Sequence, residues 1–217
     1  MRLSVCRLRL KNGQSVDEQT LQRALSLLLE RGLSQDEAGR ICAKNSSAAR
    51  VQSVGARLAL LWALTDGEEA VHDFDDFPAY DERACASLAL LGRSSSGAPL
   101  LRGRTEGISF AHCETASVCA YSRDGAIGVD VEPLSRRLLY AADVADRYFS
   151  EGEQALLTAA GEAYADTFLR IWTRKEALGK KRATGLQAPA WLLDTCGDPS
   201  ARFHEYEYEG CVVCVCQ

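Results

Sequence analysis

The chain opens with alternating apolar and polar positions, LSVCRLRL over Leu3–Leu10, which is the period of a half-buried strand. The period then changes. Ser15 with Glu18 forms a capping-box pair ahead of Leu21, Leu25, Leu28 and Leu29, which share one helical face, and Gly32 supplies a stop. Ser34 with Glu37 repeats the start signal. A longer helix is expected from about Ser47, with Val51, Val54, Leu58, Leu61 and Trp62 at helical spacing. The first half therefore reads as mostly helix.

Residues 93–107, RSSSGAPLLRGRTEG, are rich in Ser, Gly and Arg and mark the expected break, giving an N-terminal subdomain over 1–105 and a C-terminal one over 106–217. Beyond it Ile108–Phe110, Ser117–Ser122 and Ile127–Glu132 read as strands, the last two joined as a hairpin through Asp124-Gly125. Helices are expected from Leu138, from Ser150 with Glu153 as its capping box, and from near Tyr164. After Gly185 the pattern returns to strands, with RFHEYEYEG turning into CVVCVC. Strands, then helices, then strands predict an α+β fold.

Composition narrows the function classes. A chain of 217 residues with 47% hydrophobic and 25% charged residues can bury a core without help from a cofactor. A net charge of -5 argues against a broadly basic nucleic-acid surface, and no apolar run approaches the ~20 residues of a membrane span. The expectation is a cytoplasmic protein that binds neither nucleic acid nor membrane. Nine cysteines without a secretion signal read as reduced thiols. Cys211, Cys214 and Cys216 have partly metal-like spacing, with His204 as a fourth ligand; the alternative is small side chains in a buried terminal strand.

Two stretches carry chemistry. In GVDVEP, residues 128–133, Asp130 and Glu132 leave one face of a strand at its end. Paired carboxylates repel unless a cation or proton lies between them, and hard oxygen donors so placed suit Mg²⁺ with substrate phosphate; the alternative is a solvated strand end. In FLRIWTRKEALGKKRATG, residues 168–185, Glu176 and Lys180 continue the line of Phe168 and Trp172 along one helix. The pair is either an exposed helix pair or an extension of the buried face. Arg174, Lys175, Lys180, Lys181 and Arg182 form the most cationic stretch of the chain, a solvated face or a polyanion site. Gly179 either marks a close approach or merely weakens the last turn. His112, in ISFAHCE, is a structural histidine or a phosphate donor. Carboxylates, lysines and a histidine around a phosphate ester point to phosphoryl-type transfer.

The order His112, GVDVEP, WTRKEALGKKRATGL resembles the 4′-phosphopantetheinyl transferases, in particular the larger monomeric type that activates peptide and polyketide synthases. Trp172, Lys175, Glu176 and Lys180 fill every fixed position of the family's second motif, and the match covers about residues 107–186. The resemblance implies two α+β subdomains related by a pseudo-twofold axis, with the site in the cleft between them. It implies transfer of 4′-phosphopantetheine from coenzyme A to a serine of an apo acyl or peptidyl carrier protein, releasing adenosine 3′,5′-bisphosphate. Asp130, Glu132 and Glu176 would hold Mg²⁺ or Mn²⁺, with Glu176 also helping to deprotonate the serine. Lys180 would stabilise the departing phosphate and contact the coenzyme, and His112 would meet its 3′-phosphate, with Arg50 as a further basic contact.

Two positions depart from the family pattern. Ala111-His112-Cys113 stands where the family usually has Ser-His-Ser, and Gly97-Ala98-Pro99 where it commonly has Gly-Lys-Pro. They motivate an alternative, a non-catalytic relative that binds carrier protein or nucleotide. A zinc-stabilised interaction module on the C-terminal cysteines is a third reading.

Overall fold

Leu3, Ser4, Val5 and Cys6 are all buried, so the opening strand is covered on both faces rather than one. In the computed structural model, which describes residues 1–65, 69–184 and 193–217, that strand, β1 (Arg2–Arg7), is an interior strand of a sheet. It pairs in parallel with β2 (Glu69–Asp73) and antiparallel with β6 (Ala116–Ser122), which pairs antiparallel with β5 (Gly107–His112). The helices of this unit are α1 (Glu18–Glu30), α2 (Gln35–Cys42), α3 (Ser47–Thr65) and α4 (Glu82–Ala89). The longest of them, α3, packs on β1 and β6. Val54, Leu58, Leu61 and Trp62 are buried along it, as their spacing predicts.

Local signals are partly revised. The cap of α1 is Asp17, whose carboxylate accepts from the Thr20 amide at 2.7 Å, and not Ser15. Ser34 does cap α2, but Glu37 turns inward to pair with buried Arg57 at 2.7 Å instead of closing a capping box. The stretch expected as a boundary contains a hairpin, β3 (Leu91–Arg93) with β4 (Pro99–Leu101).

Contacts divide the chain into Met1–Ala126 and Ile127–Gln217. The division falls after the strands at 107–122 rather than at 105/106, because β5 and β6 join the sheet of β1. For the same reason the hairpin expected through Asp124-Gly125 does not form: β6 pairs with β1 and β5, and the next strand belongs to another sheet.

That second sheet is antiparallel. It is built of β7 (Gly128–Pro133), β9 (Cys211–Cys216) and β8 (Phe203–Tyr208), with β9 in the middle. The central position accounts for CVVCVC: all six residues are buried. Burial pushes the Cys214 thiol up and that of Cys216 to about 11. His204 is exposed on β8. Among the described residues three α-helices complete the unit, α5 (Ala141–Tyr148), α6 (Glu151–Ala159) and α7 (Tyr164–Lys181), the first starting at Ala141 and not at Leu138. The Ser150–Glu153 capping box of α6 is present in full. Phe149, Leu157, Phe168 and Ile171 form one apolar cluster among these helices, and Ala177 and Leu178 of α7 form another with Cys214 and Cys216. Gly185 and Leu186, at the end of the second motif, lie outside the described residues. The chain is α+β, as the order of its elements predicts.

Candidate active site

The site is set by where α7 crosses β7. A Cβ built on Gly128 would stand 1.8 Å from the Ala177 carbonyl oxygen and 2.6 Å from the Lys181 amide nitrogen. Only a residue without a side chain lets the helix backbone come this near the strand. Gly179, the other candidate for a close approach, is buried on α7. Because strand side chains alternate, Gly128, Asp130 and Glu132 share one face, and the helix lying on that face brings Glu176 and Lys180 to the two carboxylates.

Lys180 Nζ donates to Asp130 Oδ1 at 2.8 Å and to the Val129 carbonyl at 3.0 Å. Asp130 is buried, and its second oxygen, Oδ2, has no hydrogen-bond partner among the described residues. Burial raises Asp130 to about 6 against the pull of Lys180, and the charge of Glu176 raises it further. Glu132 is raised by burial and by Asp130, and lowered by Arg136 and by a hydrogen bond from the Trp172 side chain. Glu176 is raised by burial and by Glu132, and lowered by Lys180 and Arg136. Each carboxylate thus feels at least one of the others. The Glu176–Lys180 pair is no exposed helix pair.

Among the described residues, no three His, Cys, Asp or Glu side chains stand ready to hold a metal ion. The cause is visible in the ion pairs: Lys180 holds Asp130, and Arg136 holds Glu132. The donor set still fits a hard divalent cation, being three carboxylates that raise one another's proton affinity, one with a buried oxygen that has no partner among the described residues.

The cations of the basic stretch have partners within the protein. Arg174 pairs with Glu205 at 2.5 Å, Lys181 donates to the Ser200 carbonyl at 2.7 Å, and Arg182 pairs with Asp198. Lys181 points away from the site, as the ~100° turn between neighbouring helix residues requires. Lys175 is fully buried, donating to Glu153 Oε2 at 2.6 Å and the Leu193 carbonyl at 2.7 Å. Glu153 Oε1 in turn accepts from the amide and hydroxyl of Thr195 at 2.8 and 2.7 Å. The motif lysine therefore clamps α6 and the segment re-entering at Leu193 onto α7, one residue from Glu176.

The other two expected residues belong to the first unit. His112 is exposed at the end of β5, opposite Ser117, between buried Ala111 and Cys113. Arg50 lies in the first turn of α3 and pairs with Glu18 at 3.5 Å. Sequence reasoning missed Glu153 beyond its capping role, Arg136, and the contact of Trp172 with Glu132. A signal existed for Arg136 in its spacing, four residues after Glu132.

A strand-end carboxylate pair thus meets a third carboxylate and a lysine carried by one crossing helix. Residues 126–213 match the 4′-phosphopantetheinyl transferase superfamily. The matched stretch lies almost wholly within the second unit, Ile127–Gln217. The chain is also similar to the L-aminoadipate-semialdehyde dehydrogenase-phosphopantetheinyl transferase of Eremothecium gossypii, 34% identical over 117 residues, which are 51% of this chain and 42% of that protein. The match thus spans less than half of the relative's length.

Proposed function

We propose that this protein transfers 4′-phosphopantetheine from coenzyme A to a serine of an apo acyl or peptidyl carrier protein. The observation that supports it best is the convergence of Asp130, Glu132, Glu176 and Lys180 where α7 crosses β7, within the stretch matched to the transferase superfamily. The serine oxygen attacks the pyrophosphate phosphorus next to pantetheine, the bond to the bridging oxygen breaks, and adenosine 3′,5′-bisphosphate departs. Glu176, whose proton affinity is raised, takes the serine proton directly or through water. Lys180, held at Asp130, offsets charge on the leaving phosphate oxygens. Asp130, Glu132 and Glu176 would hold Mg²⁺ or Mn²⁺, which would supply Lewis-acid neutralisation of the pyrophosphate. Trp172 steadies Glu132, and the Lys175–Glu153 clamp fixes the turn of α7 that carries Glu176.

His112 and Arg50 are the proposed coenzyme A contacts of the first unit, His112 for the 3′-phosphate. The protein is proposed to act as a monomer. The test is mass spectrometry of several apo carrier proteins incubated with the protein, coenzyme A and Mg²⁺, with EDTA as control. Gain of the phosphopantetheine mass that EDTA prevents supports the reading. No gain on any carrier leaves the non-catalytic relative.

A further inference from the structure

Arg136 is placed by a built turn. Pro133 ends β7, the Leu134 amide donates to the Gly210 carbonyl at 2.7 Å, and the Arg136 amide donates back to the Pro133 carbonyl at 3.0 Å. The chain is thereby folded over and tied to the β8–β9 turn, and the Arg136 guanidinium returns to Glu132 Oε1. The Glu132 side chain is 14% exposed beneath an Arg136 side chain that is 45% exposed, so the guanidinium covers the carboxylate from the solvent side. Its field also reaches Glu176, lowering that group's proton affinity as it does that of Glu132. Arginine keeps its charge throughout the working pH range, so protonation cannot switch this contact off.

We propose that Arg136 is a tethered counter-cation that competes with the divalent metal for Glu132 and thereby sets metal affinity. Resting on the metal reading given above, the inference adds a regulator of it that the family motifs do not contain. Three carboxylates with only Lys180 beside them would repel one another strongly. Arg136 relieves this in the metal-free protein, and a dication must displace or repel the guanidinium in order to bind.

The test is Mn²⁺ binding to the full chain at low ionic strength, free Mn²⁺ being read by electron paramagnetic resonance and the Kd confirmed by calorimetry. Arg136→Gln is expected to bind Mn²⁺ about threefold to tenfold more tightly than the wild type. Arg136→Lys, which keeps the charge, and Arg137→Gln, the same charge change one residue away, should each stay within about twofold, and the gain should shrink at high salt. Wild type that binds no Mn²⁺ sinks the metal reading and this inference together. Wild type that binds, with Arg136→Gln no tighter than wild type or with Arg136→Lys or Arg137→Gln as tight as Arg136→Gln, overturns this inference alone.

Discussion

Asp130 burdens the metal-free fold, and Asp130→Asn should relieve it. Burial raises its pKa from the ordinary 3.8 to about 6 even though Lys180 holds one oxygen. A raised carboxylate is bound to its proton more tightly in the folded state. Its favourable contribution is therefore fully present below about pH 4 and is lost as pH rises through 6. At about 1.4 kcal/mol per tenfold change in proton affinity, the ionised group costs about 3 kcal/mol at pH 7.5 and about 1 kcal/mol at pH 4.5. Asparagine keeps an acceptor for Lys180 and carries no charge. In EDTA, Asp130→Asn should thus be more stable than the wild type by up to about 3 kcal/mol at pH 7.5, with the gap narrowing toward pH 4.5. Urea unfolding by circular dichroism measures the gap, and hydrogen exchange of the β7 and α7 amides locates it. Saturating Mg²⁺ should close or reverse it, because only the wild type keeps all three carboxylates. A variant less stable than wild type at pH 7.5, or a gap independent of pH, would refute the reasoning.

Other outcomes follow from the same contacts. Lys175→Met should cost about 3–5 kcal/mol by leaving Glu153 charged and buried, and adding Glu153→Gln should restore part of it in thermal melts. Gly128→Ala should destabilise the second unit by about 3 kcal/mol or more, read in the same melts, since neither Ala177 nor Lys181 can give way through its backbone. Lys180→Met should lower kcat for carrier modification more than it raises KM for coenzyme A; a change in KM alone would reassign it to ground-state binding. Ala98→Lys with Ala111→Ser tests the departures from the family pattern: the double variant should improve kcat/KM for coenzyme A more than for its dephospho form. The stability of the Ala111→Ser single variant is measured alongside, because Ala111 is buried.

The carboxylate–lysine cluster was legible because its residues sit on regular elements. Asp130 and Glu132 are two apart on a strand, and Glu176 and Lys180 four apart on a helix, so period alone puts each pair on one face. That the two faces meet was carried by the resemblance and not by period, since nothing local says that α7 lies on β7. Period also could not give the pairing of strands. Ser117–Ser122 and Ile127–Glu132 are separated by a turn-like Asp-Gly, yet the longer-range partners β1 and β9 take them. Likewise Lys175 reads as a surface cation in sequence, and its burial depends on Glu153, 22 residues away. The C-terminal cysteines were legible as packing residues: the apolar run CVVCVC reads as a buried strand, and Cys211, Cys214 and Cys216 are buried in it.

The contact at Gly128 makes the alignment of strand and helix a matter of touching backbones and not of the length of chain between them. The connection from β7 to α7 carries α5 and α6 but does not measure out the position of Glu176 against Asp130. Residues added at the exposed turn around Gly161, between α6 and α7, should therefore leave the carboxylates in register. A single methyl group at residue 128 would disturb that register although no carboxylate or lysine of the cluster had changed. The two motifs can thus drift apart in sequence while the crossing keeps them together in space.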